Sequence, residues 1–141
     1  MAADRFKAFL ASDDTLRIYI GKTLVFSSKK DRLLPLMEYI AHYEIGQKPV
    51  VIYDKIMGNA AALLAVRANA GGVYSPLGSE PAIKTLDGHS IKYHLTKIVP
   101  YIMRDDGKGL CPMEQLSIGK EPEEFYQVVT HPPASWGASK Y

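Results

Sequence analysis

The chain has 141 residues, 47% hydrophobic and 23% charged, with 17 Lys+Arg against 15 Asp+Glu for a net charge of +2. That is ordinary globular composition at about the length of one domain with its own core, and it excludes a disordered, collagen-like or fibrous chain. So even a charge balance gives no basis for nucleic-acid binding, and the single cysteine, Cys111, can neither close an internal disulfide nor build a thiolate-rich zinc site. No stretch approaches the roughly 18 uninterrupted apolar residues of a membrane span. The opening MAADRFKAFL lacks the apolar run of a secretory signal, so the expected setting is cytoplasmic, away from any membrane.

Residues 4–12 predict a short amphipathic helix, with Phe6, Phe9 and Leu10 on one side. From Thr15 the period becomes two: Leu16, Ile18 and Ile20, then Leu24 and Phe26, flank Gly21-Lys22. A glycine-first pair between alternating runs is a hairpin signal. Leu33, Leu36, Met37, Ile40 and Tyr43 fall at helical spacing over 31–44, with Pro35 in the first turn and Ser27 to Asp31 offering N-caps. Pro49 to Tyr53 is an unbroken apolar run suited to a strand covered on both faces.

Asp54 can cap a helix from Lys55 to Asn69, stopped by Gly71-Gly72; Val73 to Ser75 then reads as a short strand and Pro76 to Gly78 as a loop. Ser79 caps a helix through Leu86, and Ile91, Tyr93 and Leu95 alternate as another strand. Arg104 to Gly109 is turn-rich, Cys111-Pro112-Met113-Glu114 opens a short helix, and 121–129 gives the last one. The predicted architecture is a three-layer α/β/α domain over 1–129, with a mixed sheet of about five strands built from a β-hairpin and three helix–strand units. Residues 130–141, which contain Trp136, read as an irregular tail.

In such sheets ligands bind beyond the carboxyl ends of the parallel strands. That edge gathers Asp54 and Lys55 after one strand and Ser75 to Ser79 after the next. A lysine in a first helical turn opposes the helix dipole, and a bound anion would reverse the sign by using both the ammonium and the free N–H groups. Gly58, one turn on, would let a ligand or a neighbouring backbone approach closely. The alternative is that Asp54 neutralises Lys55 and Gly58 packs against the sheet. Cys111 at a helix N-terminus is a candidate nucleophile, a redox-sensitive thiol or a capping residue. Glu114 is either its general base or a capping-box partner. Asp105 and Asp106 beside Gly107 read as turn formers.

Asp54-Lys55-x-x-Gly58-x-Ala60-Ala61-Ala62, Val73-Tyr74, Val99-Pro100 and Gly109-Leu110-Cys111-Pro112-Met113-Glu114 together resemble a small uncharacterised bacterial family, over roughly residues 5–129. The resemblance implies a cytidine-deaminase-like fold without the zinc site of deaminases. Asn59 departs from the family pattern, which would have a lysine there. Zinc deamination needs His or Cys with a nearby Glu at one helix start and P-C-x-x-C at the next. The corresponding stretches here, Ser27 to Asp31 and Asp54 to Gly58, hold neither His nor Cys, and Cys111-Pro112 lacks a second cysteine. His42-Tyr43-Glu44 matches H-x-E only as text, at the wrong end of its helix.

The expected function is therefore binding of a small anionic ligand, a nucleotide or phosphorylated metabolite, with no metal and no cofactor. The binding set is Asp54, Lys55, Gly58, Asn59, Ser75 and Ser79. The alternatives are a Cys111-dependent enzyme assisted by Glu114 or Lys55, and a structural or regulatory homo-oligomer in which the Trp136 tail serves as an arm.

Overall fold

The computed structural model describes residues 2–132; Trp136 and the tail beyond Pro132 lie outside the described residues. Helix α1 (Ala2–Leu10) leads to β1 (Leu16–Ile20) and β2 (Thr23–Ser28). These strands join through Gly21 at φ +57°, the positive value that the hairpin turn demands. Then follow α2 (Leu34–His42), β3 (Val50–Asp54), α3 (Asn59–Arg67), β4 (Ala70–Ser79), α4 (Glu80–Gly88) and β5 (Lys92–Val99). Two short helices, α5 (Pro112–Ser117) and α6 (Pro122–Thr130), close the described chain.

The five strands form one mixed sheet in the order β2-β1-β3-β4-β5. β1 is antiparallel to both neighbours, with Ile18 opposite Phe26 and Ile52, whereas β3–β4 and β4–β5 are parallel. Alternation along the strands divides the core. Ile18, Ile52, Val73 and Leu95 face a helical layer made by α2, α3, α4 and α6. On the opposite face Tyr19, Val51, Tyr53 and Tyr74 meet Phe6 and Phe9 of α1, and the Tyr53 and Tyr74 rings stack at 5.0 Å. Among the described residues the two helical layers are thus unequal, one of them a single nine-residue helix.

Helix α3 is central. Its buried Ala60, Ala61, Ala62 and Ala65 keep its axis close to its neighbours, while Leu63 and Leu64 fill the space between them. Arg67 in its last turn reaches α6, pairing with Glu123 at 2.9 Å and lying over the Tyr126 ring.

Three boundaries differ from the sequence reading. α2 begins at Leu34 with no side-chain cap, so none of the polar residues from Ser27 to Asp31 starts it. α3 begins at Asn59, not Lys55, because Met57 first forms a parallel bridge to Gly78: its N–H donates to Leu77 and its carbonyl accepts from Ser79. β4 runs unbroken through Gly71-Gly72 and Pro76 to Gly78, and Asn69, at φ +64°, makes the turn assigned to the glycines. The register passes Pro76 unshifted, from Ser75↔Leu95 to Leu77↔Lys97. Gly78 is needed for contact: a Cβ there would lie 2.4 Å from Leu95 Cδ1. Among the described residues no helix is long and apolar enough to cross a membrane.

Candidate functional site

The carboxyl ends of β3, β4 and β5 lie along one edge of the sheet, and the segments leaving them decide what that edge can do. Asp54 ends β3 two residues beyond Ile52, on the face of the large helical layer. Burial drives its carboxyl up to about 7, although the backbone N–H groups of Ile56 and Lys55 work in the opposite direction. Lys55 turns away from this edge. Its ammonium donates to the carbonyls of Phe9, Leu10 and Ser12 at 3.2, 3.4 and 3.5 Å and lies over the Phe9 ring. A cation on the last carbonyls of a helix answers the negative end of its dipole. Lys55 therefore clamps the end of α1 rather than standing in the first turn of α3.

The start of α3 is filled from within the chain. Glu114, only 2% exposed, accepts the Asn59 backbone N–H at 2.6 Å through Oε1 and the Ile102 N–H at 2.7 Å through Oε2. This is an anion at a helix N-terminus, supplied by a side chain rather than a ligand. Gly58 makes room for it, since a Cβ there would sit 3.2 Å from Glu114 Oε1 and 2.9 Å from Ile102 Cγ1. Asn59 completes the joint: its amide donates to the Ser117 carbonyl and hydroxyl at 3.1 Å, and its oxygen accepts from the Thr85 hydroxyl. The structure thus unites Gly58, Asn59 and Glu114 as one hydrogen-bonded junction of α3, α4 and α5.

The remaining candidates have local roles. The Ser75 hydroxyl donates to the Leu77 carbonyl at 2.9 Å, and Ser79 caps α4 by accepting the Ala82 N–H. Cys111 is the half-buried N-cap residue of α5, but its side chain makes no capping bond. Glu114 is not its capping-box partner, because both carboxylate oxygens are turned to other backbone groups. Asp106 forms its turn by accepting the Lys108 N–H beside Gly107 at φ +70°. Among the described residues no three of His, Cys, Asp or Glu gather where a metal ion would be held.

An open cleft of about 530 Å³ lies next to this junction, between α4 and the α5–α6 connection. Asn59 and Thr85 line it, Lys84, His89 and Lys120 contribute positive or protonatable groups, and Tyr101 and Ile118 give apolar wall. Its two acids sit at helix starts: Glu80 in the first turn of α4, and Glu121 in a capping box with Glu124. Lys84 and Lys120 form no ion pair with a described residue. Sequence reading missed these residues. Lys84 and Lys120 look like any solvated helix or loop lysine, and the one available signal was their position after strands whose carboxyl ends share an edge.

A family model described as "TM1506: Domain of unknown function (DUF1893)" matches residues 6–131. A comparison with curated proteins gives no match. Among solved structures, the crystal structure of a DUF1893 family protein, TM1506 of Thermotoga maritima, superposes with a TM-score of 0.82. It is 26% identical, and the alignment covers 92% of this chain and 87% of that one. With the family model spanning nearly the whole α/β fold, the chain belongs to the DUF1893 family.

Proposed function

We propose that this DUF1893 protein binds a small anionic metabolite, a nucleotide or a phosphorylated compound, in the cleft between α4 and the α5–α6 connection. The observation that carries the reading is the cleft itself: about 530 Å³, running along α4 from the carboxyl edge of the parallel strands at Glu80 and Tyr101 to His89, with two lysines free of ion pairs to described residues. That volume is within the usual range for small-molecule sites, and the edge is where open α/β sheets take ligands. Lys84 and Lys120 supply the charge for a phosphate, His89 a protonatable donor, and Tyr101 a flat surface for a ring. Glu121 opposes this least, because its carboxylate is engaged with the Glu124 N–H.

The strand order, with β5 parallel to β4, supports reading the fold as cytidine-deaminase-like. On that reading the helix start that carries P-C-x-x-C in zinc deaminases is here Gly58-Asn59, closed by Glu114. The binding site is accordingly placed beside that junction rather than in it.

Titration calorimetry with adenosine monophosphate and with inorganic phosphate tests the proposal. We expect saturable binding that weakens by at least about tenfold in Lys84→Ala/Lys120→Ala, the loss of charge-assisted contacts, and persists in Lys55→Met. No binding of either compound, or equal affinity in the double variant, overturns it.

A further inference from the structure

We propose that β5 is the seam of a homodimer, two copies joining edge to edge about a two-fold axis normal to the sheet and centred on Leu95. β5 is an edge strand of eight residues, pairs with β4 without a register shift, and contains no proline. No described residue outside β4 hydrogen-bonds to the backbone of Lys92–Val99. Proteins ordinarily blunt such edges with bulges, prolines, short strands or charge, and β5 carries only the last of these, as Lys92 and Lys97.

Lys92 and Lys97 point to opposite faces of the sheet, so only an axis through one of them would set lysine against lysine. An axis normal to the sheet keeps each side chain on its own face, so it must pass through a residue rather than between two. Centred on Leu95, it sets Lys92 opposite Ile98 of the second copy, Tyr93 opposite Lys97, and His94 opposite Thr96. No lysine faces a lysine. Ile98 and Tyr93, 51% and 37% exposed, are the two exposed large hydrophobic residues of the strand, and each is covered by a lysine stem whose ammonium stays at the rim. Asp87, at the end of α4, interacts with the Tyr93 side chain and so brings a carboxylate to the position that receives Lys97. Every pair occurs twice except Leu95 with Leu95 on the axis, as a self-complementary interface requires.

Sedimentation equilibrium of the full chain tests this, and we expect a dimer. Ile98→Lys sets two lysines directly opposite at both ends of the seam and should weaken dimerisation by at least about tenfold. Ile98→Glu sets a carboxylate opposite Lys92 and should dimerise at least as tightly as the parent. Ile98→Lys/Lys92→Glu should recover the dimer lost in the single variant, which separates a repelled seam from a misfolded chain. A parent protein that stays monomeric, an Ile98→Lys dimer as tight as the parent, an Ile98→Glu variant as weak as Ile98→Lys, or a double variant that fails to recover overturns the proposal.

Discussion

Glu114 Oε1 accepts the backbone N–H of Asn59 at 2.6 Å across 55 residues of chain, while its second oxygen takes the N–H of Ile102. A helix start leaves N–H groups without intrahelical partners, and a buried carboxylate satisfies one of them while answering the positive end of the dipole. Glu114→Ala would leave two N–H groups without acceptors, at a cost of about 2–4 kcal/mol. Glu114→Gln keeps the shape but presents an amide NH2 to one of them, so it should lose less, about 1–3 kcal/mol. Urea unfolding of the three proteins checks the order.

Gly58 is the steric condition of that contact. Gly58→Ala would set a methyl group 2.9 Å from Ile102 Cγ1 and 3.2 Å from the Glu114 carboxylate. Its backbone is extended at φ −80°, so the penalty is contact and not strain. We expect a loss of about 1–2 kcal/mol, as for other overpacked sites, read from the same unfolding midpoints. It should fall only in part in a Glu114→Ala background, because the contact with Glu114 goes while the tighter one with Ile102 Cγ1 remains.

Lys55 predicts an effect at a distance from the cleft. Lys55→Met keeps the stem but removes the ammonium from three carbonyls at the end of α1. The expected cost is about 1–2 kcal/mol. Amide hydrogen exchange should quicken in residues 2–10 and stay unchanged in α3.

The buried Asp54 reverses the usual effect of pH on a carboxylate. Its pKa in the folded chain is about 7, against an unfolded value of 3.8, so between these values the folded state holds a proton that the unfolded state has released. The contribution of Asp54 to stability is therefore greatest below the unfolded value, falls by up to about 1.4 kcal/mol per pH unit through the window, and levels off above the folded value. Denaturant unfolding from pH 4.5 to 7.5 should show this decline in the parent relative to Asp54→Asn, which has no proton to lose at that position.

The hairpin was legible because Gly21 carries a backbone requirement that the sequence displays. The inward alanines of α3 were legible for a similar reason: period and size appear in the letters. The length of β4 was not. Gly71-Gly72 and Pro76 to Gly78 look like punctuation, yet they lie within a strand that uses Gly78 to admit Leu95. At the candidate site, sequence reading singled out Gly58, Asn59 and Glu114 but not what joins them, since a backbone N–H leaves no mark in a sequence. Lys55 reads as the first turn of the next helix, yet its ammonium meets the end of α1. Its position next to Asp54 was visible, but the fold that brings the carbonyls of Phe9 to Ser12 beneath it was not.

The junction at Asn59 also has a consequence for how the chain is made. During synthesis Asn59 leaves the ribosome before α4 and β5, and the carboxylate that closes its helix follows only after both. Until then α3 lacks the partner for its first turn. The first turn of α3 therefore cannot be completed until the chain has been made as far as Glu114.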